Sequence, residues 1–159
     1  VAADGQGRAV LAWGQIDVDA SGIWHTAQMM RFDGSAWTAT PAVVGVRQAV
    51  RNNVANPVLA MSPGGGAALV WVLAETGALQ ASLAPAGGSF GAVITLNASL
   101  PAGEVTSLPA VALNDAGAVM VGWRQGNTAG AGVYAQRSTN GTAWSLDTLA
   151  SDLTDTDKT

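Results

Sequence analysis

One short pattern occurs three times in this chain, and it limits the possible folds more than any other feature. Pro109 to Gln125 reads PAVALNDAGAVMVGWRQ, Pro57 to Leu73 reads PVLAMSPGGGAALVWVL, and Val1 to Gln15 reads VAADGQGRAVLAWGQ. With Trp13, Trp71 and Trp123 superposed, the segments align without a gap. Val1, Leu59 and Val111 then share a position, as do Ala2, Ala60 and Ala112. Gly7, Gly65 and Gly117 coincide at a turn, and Leu11, Leu69 and Val121 on the run that follows. Each copy is two apolar runs around a cluster of turn residues, which is a hairpin pattern. The tryptophans stand 58 and 52 residues apart, so the copies are repeats whose length changes only outside the aligned part.

Each repeat has a second half. It runs from Gly22 to Trp37, from Gly77 to Phe90 and from Gly132 to Trp144, with Ala27, Ala81 and Ala135 as the shared alanine. Asp33-Gly34, Gly87-Gly88 and Asn140-Gly141 are tight-turn dipeptides, because a two-residue hairpin turn needs positive φ. A fourth run follows the aromatic residue. The pattern predicts strands at 1–3, 8–15, 23–31 and 36–44, then 57–62, 66–73, 78–84 and 89–96, then 109–114, 118–125, 131–138 and 143–149.

Composition agrees. Charged residues make up only 11% of the 159, against roughly 25% in an average domain, and Gly supplies 20. No long 3.6-period stripe with a charged face is present, so an all-β fold is expected. Four-stranded antiparallel units at roughly 40–55 residues are the pattern of β-propeller blades. The expected fold is therefore an all-β propeller segment of three four-stranded antiparallel blades within a larger propeller. Blade 1 covers 1–45, blade 2 covers 57–97, blade 3 covers 109–150, and 151–159 is an acidic tail. Val1 falls inside the first repeat, so further blades, or copies of the chain, are expected to close the ring.

The units resemble the tandem repeats of bacterial extracellular propeller-like proteins, through Pro109, Val111, Ala112, Asn114, Gly117, Ala118 and Trp123, and through Asp33, Gly34 and Trp37. Ser138 to Trp144 also resembles a degenerate Asp-box of sialidase-type propellers, with Asn140 in place of the acid. The resemblance implies the propeller architecture and carries little about function; the function expected of the chain is a non-catalytic extracellular or cell-surface module for binding, adhesion or assembly, with a protein or glycan at a surface as partner. Two alternatives stay open: a fragment of a sialidase-like or other glycan-active propeller, and a structural component of a surface filament.

Several functions lose support. The net charge is −4 with no basic patch, which argues against nucleic acid as a partner. No apolar run reaches the ~20 residues of a membrane-spanning helix. His25 is the only histidine and Cys is absent, so a His-rich or Cys-based metal site cannot be assembled. No phosphate loop and no Gly-x-Ser-x-Gly elbow occur. No catalytic residue is assigned.

Recurring residues are expected to pack, and function to sit on loops that differ between repeats. Those loops are Ile16 to Ser21, Gly45 to Asn56 and Asn97 to Leu108. Arg47, Arg51, Asn52 and Asn53 share the second of them, and Trp24 is the aromatic set apart from the packing positions; these five are the ligand-binding candidates. Leu79 and Tyr134 are taken as the counterparts of Trp24. Asp17, Asp19 and Ser21 follow the first half of a calcium loop, in which alternate oxygens converge on a hard cation. The acid needed at its twelfth position is Gln28, so a solvated acidic turn is the competing reading, and no other cofactor is expected.

Overall fold

The computed structural model describes residues 1–49, 53–127 and 130–150. The acidic tail, Arg51 and Asn52 lie outside them. Among the described residues, twelve strands form three antiparallel sheets. Sheet 1 contains β1 (Ala2–Ala3), β2 (Ala9–Asp19), β3 (Gly22–Phe32) and β4 (Ala42–Ala49). Sheet 2 contains β5 (Val54–Met61), β6 (Ala67–Leu73), β7 (Ala78–Ala84) and β8 (Ile94–Thr95). Sheet 3 contains β9 (Val105–Leu113), β10 (Val119–Asn127), β11 (Gly130–Ser138) and β12 (Ser145–Ala150). Within each sheet, strands adjacent in sequence are paired. No closed ring is formed by these sheets.

The repeat is visible atom by atom at the first turn. Gly7, Gly65 and Gly117 have φ of 77°, 96° and 78°, a region where a Cβ is strained. Asp4, Ser62 and Asn114 close the three turns alike. The Asp4 N–H donates to the Arg8 carbonyl, that of Ser62 to Gly66 and that of Asn114 to Ala118. The turn after the third strand also recurs. Asp33 Oδ1 accepts from the N–H groups of Ser35 and Ala36 at 2.8 and 2.9 Å. Asn140 Oδ1 accepts from those of Thr142 and Ala143, both at 3.0 Å.

These donors, led by the Ala36 N–H, hold the Asp33 carboxyl below the ordinary carboxylate range. As the folded group resists protonation more than the unfolded one, its stabilisation is complete above about pH 4 and fades as pH falls further. Melting of the Asp33→Asn variant should therefore lose less between pH 7 and pH 3 than that of the parent, because an amide oxygen caps the same turn at Asn140. An equal loss in both would remove Asp33 from the acid response.

The sheets stack face to face in chain order. Alternate residues of a strand point to opposite faces. On β6, Ala67, Leu69, Trp71 and Leu73 face sheet 1, where Val10, Ala27, Met29 and Val44 meet them. Ala68, Val70 and Val72 face sheet 3, where Val119, Val121 and Trp123 meet them. Every residue of β6 is buried. Trp71 and Trp123 thus point back toward the preceding sheet, Trp13 lies on the face of sheet 1 turned away from sheet 2, and the strand centres that hold them are equivalent: Trp13 pairs with Gln28, Trp71 with Gln80, Trp123 with Tyr134.

Prolines mark a second recurring irregularity. Between Ala55 and Val58 the β5–β6 register shifts, leaving Asn56-Pro57 opposite Trp71. Between Ser107 and Ala110 the β9–β10 register shifts likewise, leaving Leu108-Pro109 opposite Trp123. Proline has no N–H for a ladder, so it sits where a bulge asks for none.

Sheet 1 departs from the expected pattern in two places. Ile16 to Ser21 is not a loop: β2 and β3 pair out to Asp19 and Gly22 around a two-residue turn. This lengthening also moves the shared alanine. Ala81 and Ala135 lie opposite Val70 and Gly122, one residue before their tryptophans, whereas Ala27 lies opposite Gly14, one residue after Trp13. Secondly, the start of the run at 36–44 is no strand and meets β3 through the isolated Phe32–Trp37 bridge and a Thr38 N–H bond to the Arg31 carbonyl at 2.8 Å, while β4 begins at Ala42 and continues to Ala49.

Candidate functional site

The tight turns and the longer hairpins occupy opposite ends of the sheets. At the tight-turn end, main-chain and side-chain bonds join neighbouring sheets. Gly5 N–H donates to the Pro63 carbonyl at 3.1 Å, and Gly64 N–H to Asp115 Oδ1 at 2.5 Å. Arg8 Nε pairs with Asp4 at 2.6 Å, and its Nη2 reaches the Gly64 carbonyl at 3.0 Å. Desolvation opposes ionisation of Asp4, but Arg8 and the backbone donors of Gln6 and Arg8 outweigh it and lower its pKa. This end is occupied with holding the sheets together.

The other end is uneven. From the tryptophan, β6 continues two residues to Leu73, while β2 continues six residues to Asp19. The β2–β3 hairpin therefore projects about four residues, or roughly 13 Å, beyond the reach of sheet 2. The projecting part is amphipathic in an unusual way, since both faces are wet. One face carries Ile16, Val18 and Ile23, all exposed, with Val46 exposed nearby on β4. The other carries Asp17, Asp19 and Trp24.

A bulge brings Arg47 to this second face. On β4, Val44 pairs with Ala27 and Gln48 with His25, so Gly45, Val46 and Arg47 together oppose Thr26. Gly45 supplies the positive φ, 81°, that the extra residues require. Arg47 is thereby re-aimed along the hairpin. Its guanidinium lies 4.7 Å from the Trp24 ring centroid, a cation–π contact, and its Nη2 donates to Asp19 Oδ2 at 2.5 Å. Asp19 Oδ1 accepts from Ser21 N–H at 2.8 Å, Ser21 Oγ at 2.5 Å and Trp24 Nε1 at 3.2 Å. The Ser21 hydroxyl first, with Arg47 beside it, holds Asp19 far below the usual carboxylate range.

Trp24, Arg47, Asp19 and Ser21 thus form one cluster, although the sequence reading divided them between a ligand group and a metal group. Asp17 stands apart from it and accepts from Thr26 Oγ1 at 3.1 Å. Asn53 belongs to sheet 2, where its carbonyl accepts from Ala74 N–H at 2.9 Å. A cation requires carboxylate lone pairs turned toward it. Those of Asp19 face the Arg47 guanidinium and three neutral donors, and among the described residues no group of three or more His, Cys, Asp or Glu could hold a metal ion. Trp24 pairs with Asp17 in the projecting hairpin, while Leu79 and Tyr134 pair with Val72 and Trp123. They are not its counterparts, and the hairpin tip has no equivalent in sheet 2.

The sequence reading missed the four exposed aliphatic residues. The signal was present: Gln15-Ile16-Asp17-Val18-Asp19 alternates with period two, which marks a strand. Arg47→Ala should leave the melting temperature nearly unchanged, since an exposed ion pair contributes little. It should nonetheless red-shift the Trp24 emission as the ring loses its cover. A large drop in melting temperature would instead make Arg47 a structural residue.

Among the described residues, no helix is long and apolar enough to cross a membrane. Compared with protein-family models, curated proteins and solved structures, the chain shows no significant match.

Proposed function

We propose that the three sheets are consecutive blades of a β-propeller segment, and that the chain is a non-catalytic binding module acting at an extracellular surface, in adhesion or assembly. Four-stranded antiparallel units, stacked in chain order through one repeated contact, support the propeller reading. The observation that carries the binding reading is the projecting β2–β3 hairpin. Exposed aliphatic side chains gathered in one place mark interaction surfaces rather than a solvated loop. Ile16, Val18 and Ile23 on one face of this hairpin, with Val46 nearby and a tryptophan and an arginine on the opposite face, supply the residue types of a protein-contact centre. This favours a protein partner over a glycan. Asp19 and Ser21 serve to fix Trp24 and Arg47 in place.

The test is a triple variant, Val18→Ser, Ile23→Ser and Trp24→Ala, compared with the parent on immobilised extracellular proteins and on a glycan array. The parent should retain at least one protein, and the variant should lose it by about tenfold or more at unchanged melting temperature. Equal retention by both, or retention of glycans alone, would defeat this reading.

A further inference from the structure

A cavity of about 280 Å³ lies at the tight-turn end of the seam between sheets 1 and 2, and two arginines line it. Arg8 leads into β2, and Arg31 on β3 continues the row of Ala27 and Met29 that faces sheet 2. Both guanidiniums are anchored on main-chain carbonyls of sheet 2. Arg8 Nη2 reaches that of Gly64 at 3.0 Å, and Arg31 Nη2 donates to that of Gly88 at 2.5 Å. A Cβ on Gly65 would collide with the Arg8 guanidinium, so glycine is what lets this side chain lie across the turn. Arg31 also lies over the Phe90 ring, 5.7 Å from its centroid.

The two arginines differ in their charge balance. Arg8 is paired with Asp4. Among the described residues no acid pairs with Arg31, and its Nε is buried without a hydrogen-bond partner. Burial first, and then the positive charge of Arg8, lower the pKa of Arg31. Asp33 lines the same cavity, but its Oδ1 is taken up by Ser35 and Ala36 within its own turn. A half-buried cation with no counter-charge and an orphaned donor is costly to keep, and calls for an explanation. Ala9, Phe32 and Met61 give the cavity an apolar wall. Thr38 adds a hydroxyl: its Oγ1 accepts from the Arg31 N–H at 3.2 Å and keeps its own proton to donate.

We propose that this cavity binds the carboxylate of a small organic acid with an apolar body, with Arg31 as its counter-ion. A planar guanidinium matches a carboxylate better than any other side chain does, because its donors are set in a fixed fork. One uncompensated positive charge matches one negative charge, whereas a dianion would bring an excess charge up against Asp33. The apolar wall matches the body of the acid. The volume is just under the roughly 300 Å³ at which small-molecule pockets begin, so it suits a compact acid rather than a peptide or an oligosaccharide. Every group named comes from sheets 1 and 2. The site lies at the opposite end from the projecting hairpin, so it stands apart from the partner contact proposed there.

Melting of the intact chain with sodium benzoate, sodium acetate or sodium sulfate, each at about 10 mM, tests it. Benzoate should raise the melting temperature of the parent by about 3 °C, as a Kd near 1 mM implies, and acetate by less than about 1 °C, since it lacks the apolar body. Arg31→Met keeps the apolar stem and removes the charge, and should lose the benzoate shift. Calorimetric titration should show binding at least about tenfold weaker in that variant. Arg31→Lys keeps the charge without the fork and should lie between the two, which preserves the test if Arg31→Met does not fold. The triple hairpin variant should bind benzoate as the parent does, so failure here and failure of the partner contact are separate results. No benzoate shift in the parent overturns the proposal, and so does an equal shift in the parent and Arg31→Met. A sulfate shift that matches benzoate and vanishes with Arg31 would make this an inorganic-anion site and overturns the organic acid.

Discussion

Trp71→Ala should be the most damaging of the tryptophan substitutions, at about 3–5 kcal/mol, with Trp123→Ala close to it. Both side chains are 2% exposed, and each fills the seam between two sheets. Removal leaves a void bounded by β-strands on both sides, which cannot close without breaking register. A loss of this size approaches the whole stability of an ordinary domain. Trp13→Ala removes the same atoms at the equivalent position, but from a half-buried site, and should cost about 1–2 kcal/mol in the isolated chain. Chemical denaturation of the three variants measures the difference. Equal losses would mean that Trp13 is already covered, and unequal losses in the other order would contradict the stacking direction.

The second large effect is expected at Asn97. This residue follows β8 and is buried in the seam between sheets 2 and 3. Its Oδ1 accepts from the Leu79 N–H at 2.9 Å. Its Nδ2 donates to the Gly77 carbonyl at 2.8 Å and lies within bonding distance of Gln125 Oε1 at 3.0 Å and Thr106 Oγ1 at 3.1 Å. Thr106 Oγ1 also donates to the Gly77 carbonyl at 2.5 Å. One side chain thus joins the β6–β7 turn, β9 and β10. Asn97→Ala should cost about 2–4 kcal/mol, because it strands a buried donor and a buried acceptor. Asn97→Asp keeps the shape but sets oxygen against the Gly77 carbonyl and Gln125 Oε1, and should cost more at pH 7. The new carboxyl binds its proton more tightly in the folded state, so its penalty should shrink as pH falls. A melt of Asn97→Asp that worsens steadily on acidification, compared with the parent, would show the network to be wetter than its burial implies.

Particular residues show where sequence reasoning reached and where it stopped. The turns were legible because Gly7, Gly65 and Gly117 answer a local need for positive φ that few other residues meet. The tryptophan positions were legible because packing between like sheets imposes like residues. The propeller pattern led to three units of four strands, and three such antiparallel sheets are present, without a closed ring among them. The β2–β3 hairpin was misread because two aspartates drew attention to a turn and away from Ile16 and Val18. Superposing on Gly22, Gly77 and Gly132 then carried Ala27 out of register, since hairpin pairing follows the turn and the turn had moved. Arg47 depended on a bulge at Gly45, which sequence alone gives no means to locate. Asn97 looked like a loop residue because its partners at 106 and 125 come from another repeat. Pairings between sheets are invisible to patterns read within one.

Sheet 2, buried on both faces, has a consequence for how this molecule comes apart. Each sheet is built from strands adjacent in sequence, and the main contacts between sheets, β2 with β5, β5 with β9 and β6 with β9, join neighbours in the stack. Such a body behaves as a short one-dimensional chain of coupled units, where an end unit has one neighbour to leave and the middle unit has two. Sheets 1 and 3 are then the places where opening begins, and β6 the place where it ends. The units expected to open first and the hairpin proposed for partner contact thus lie at the ends of the row, while the centre keeps the ends in register.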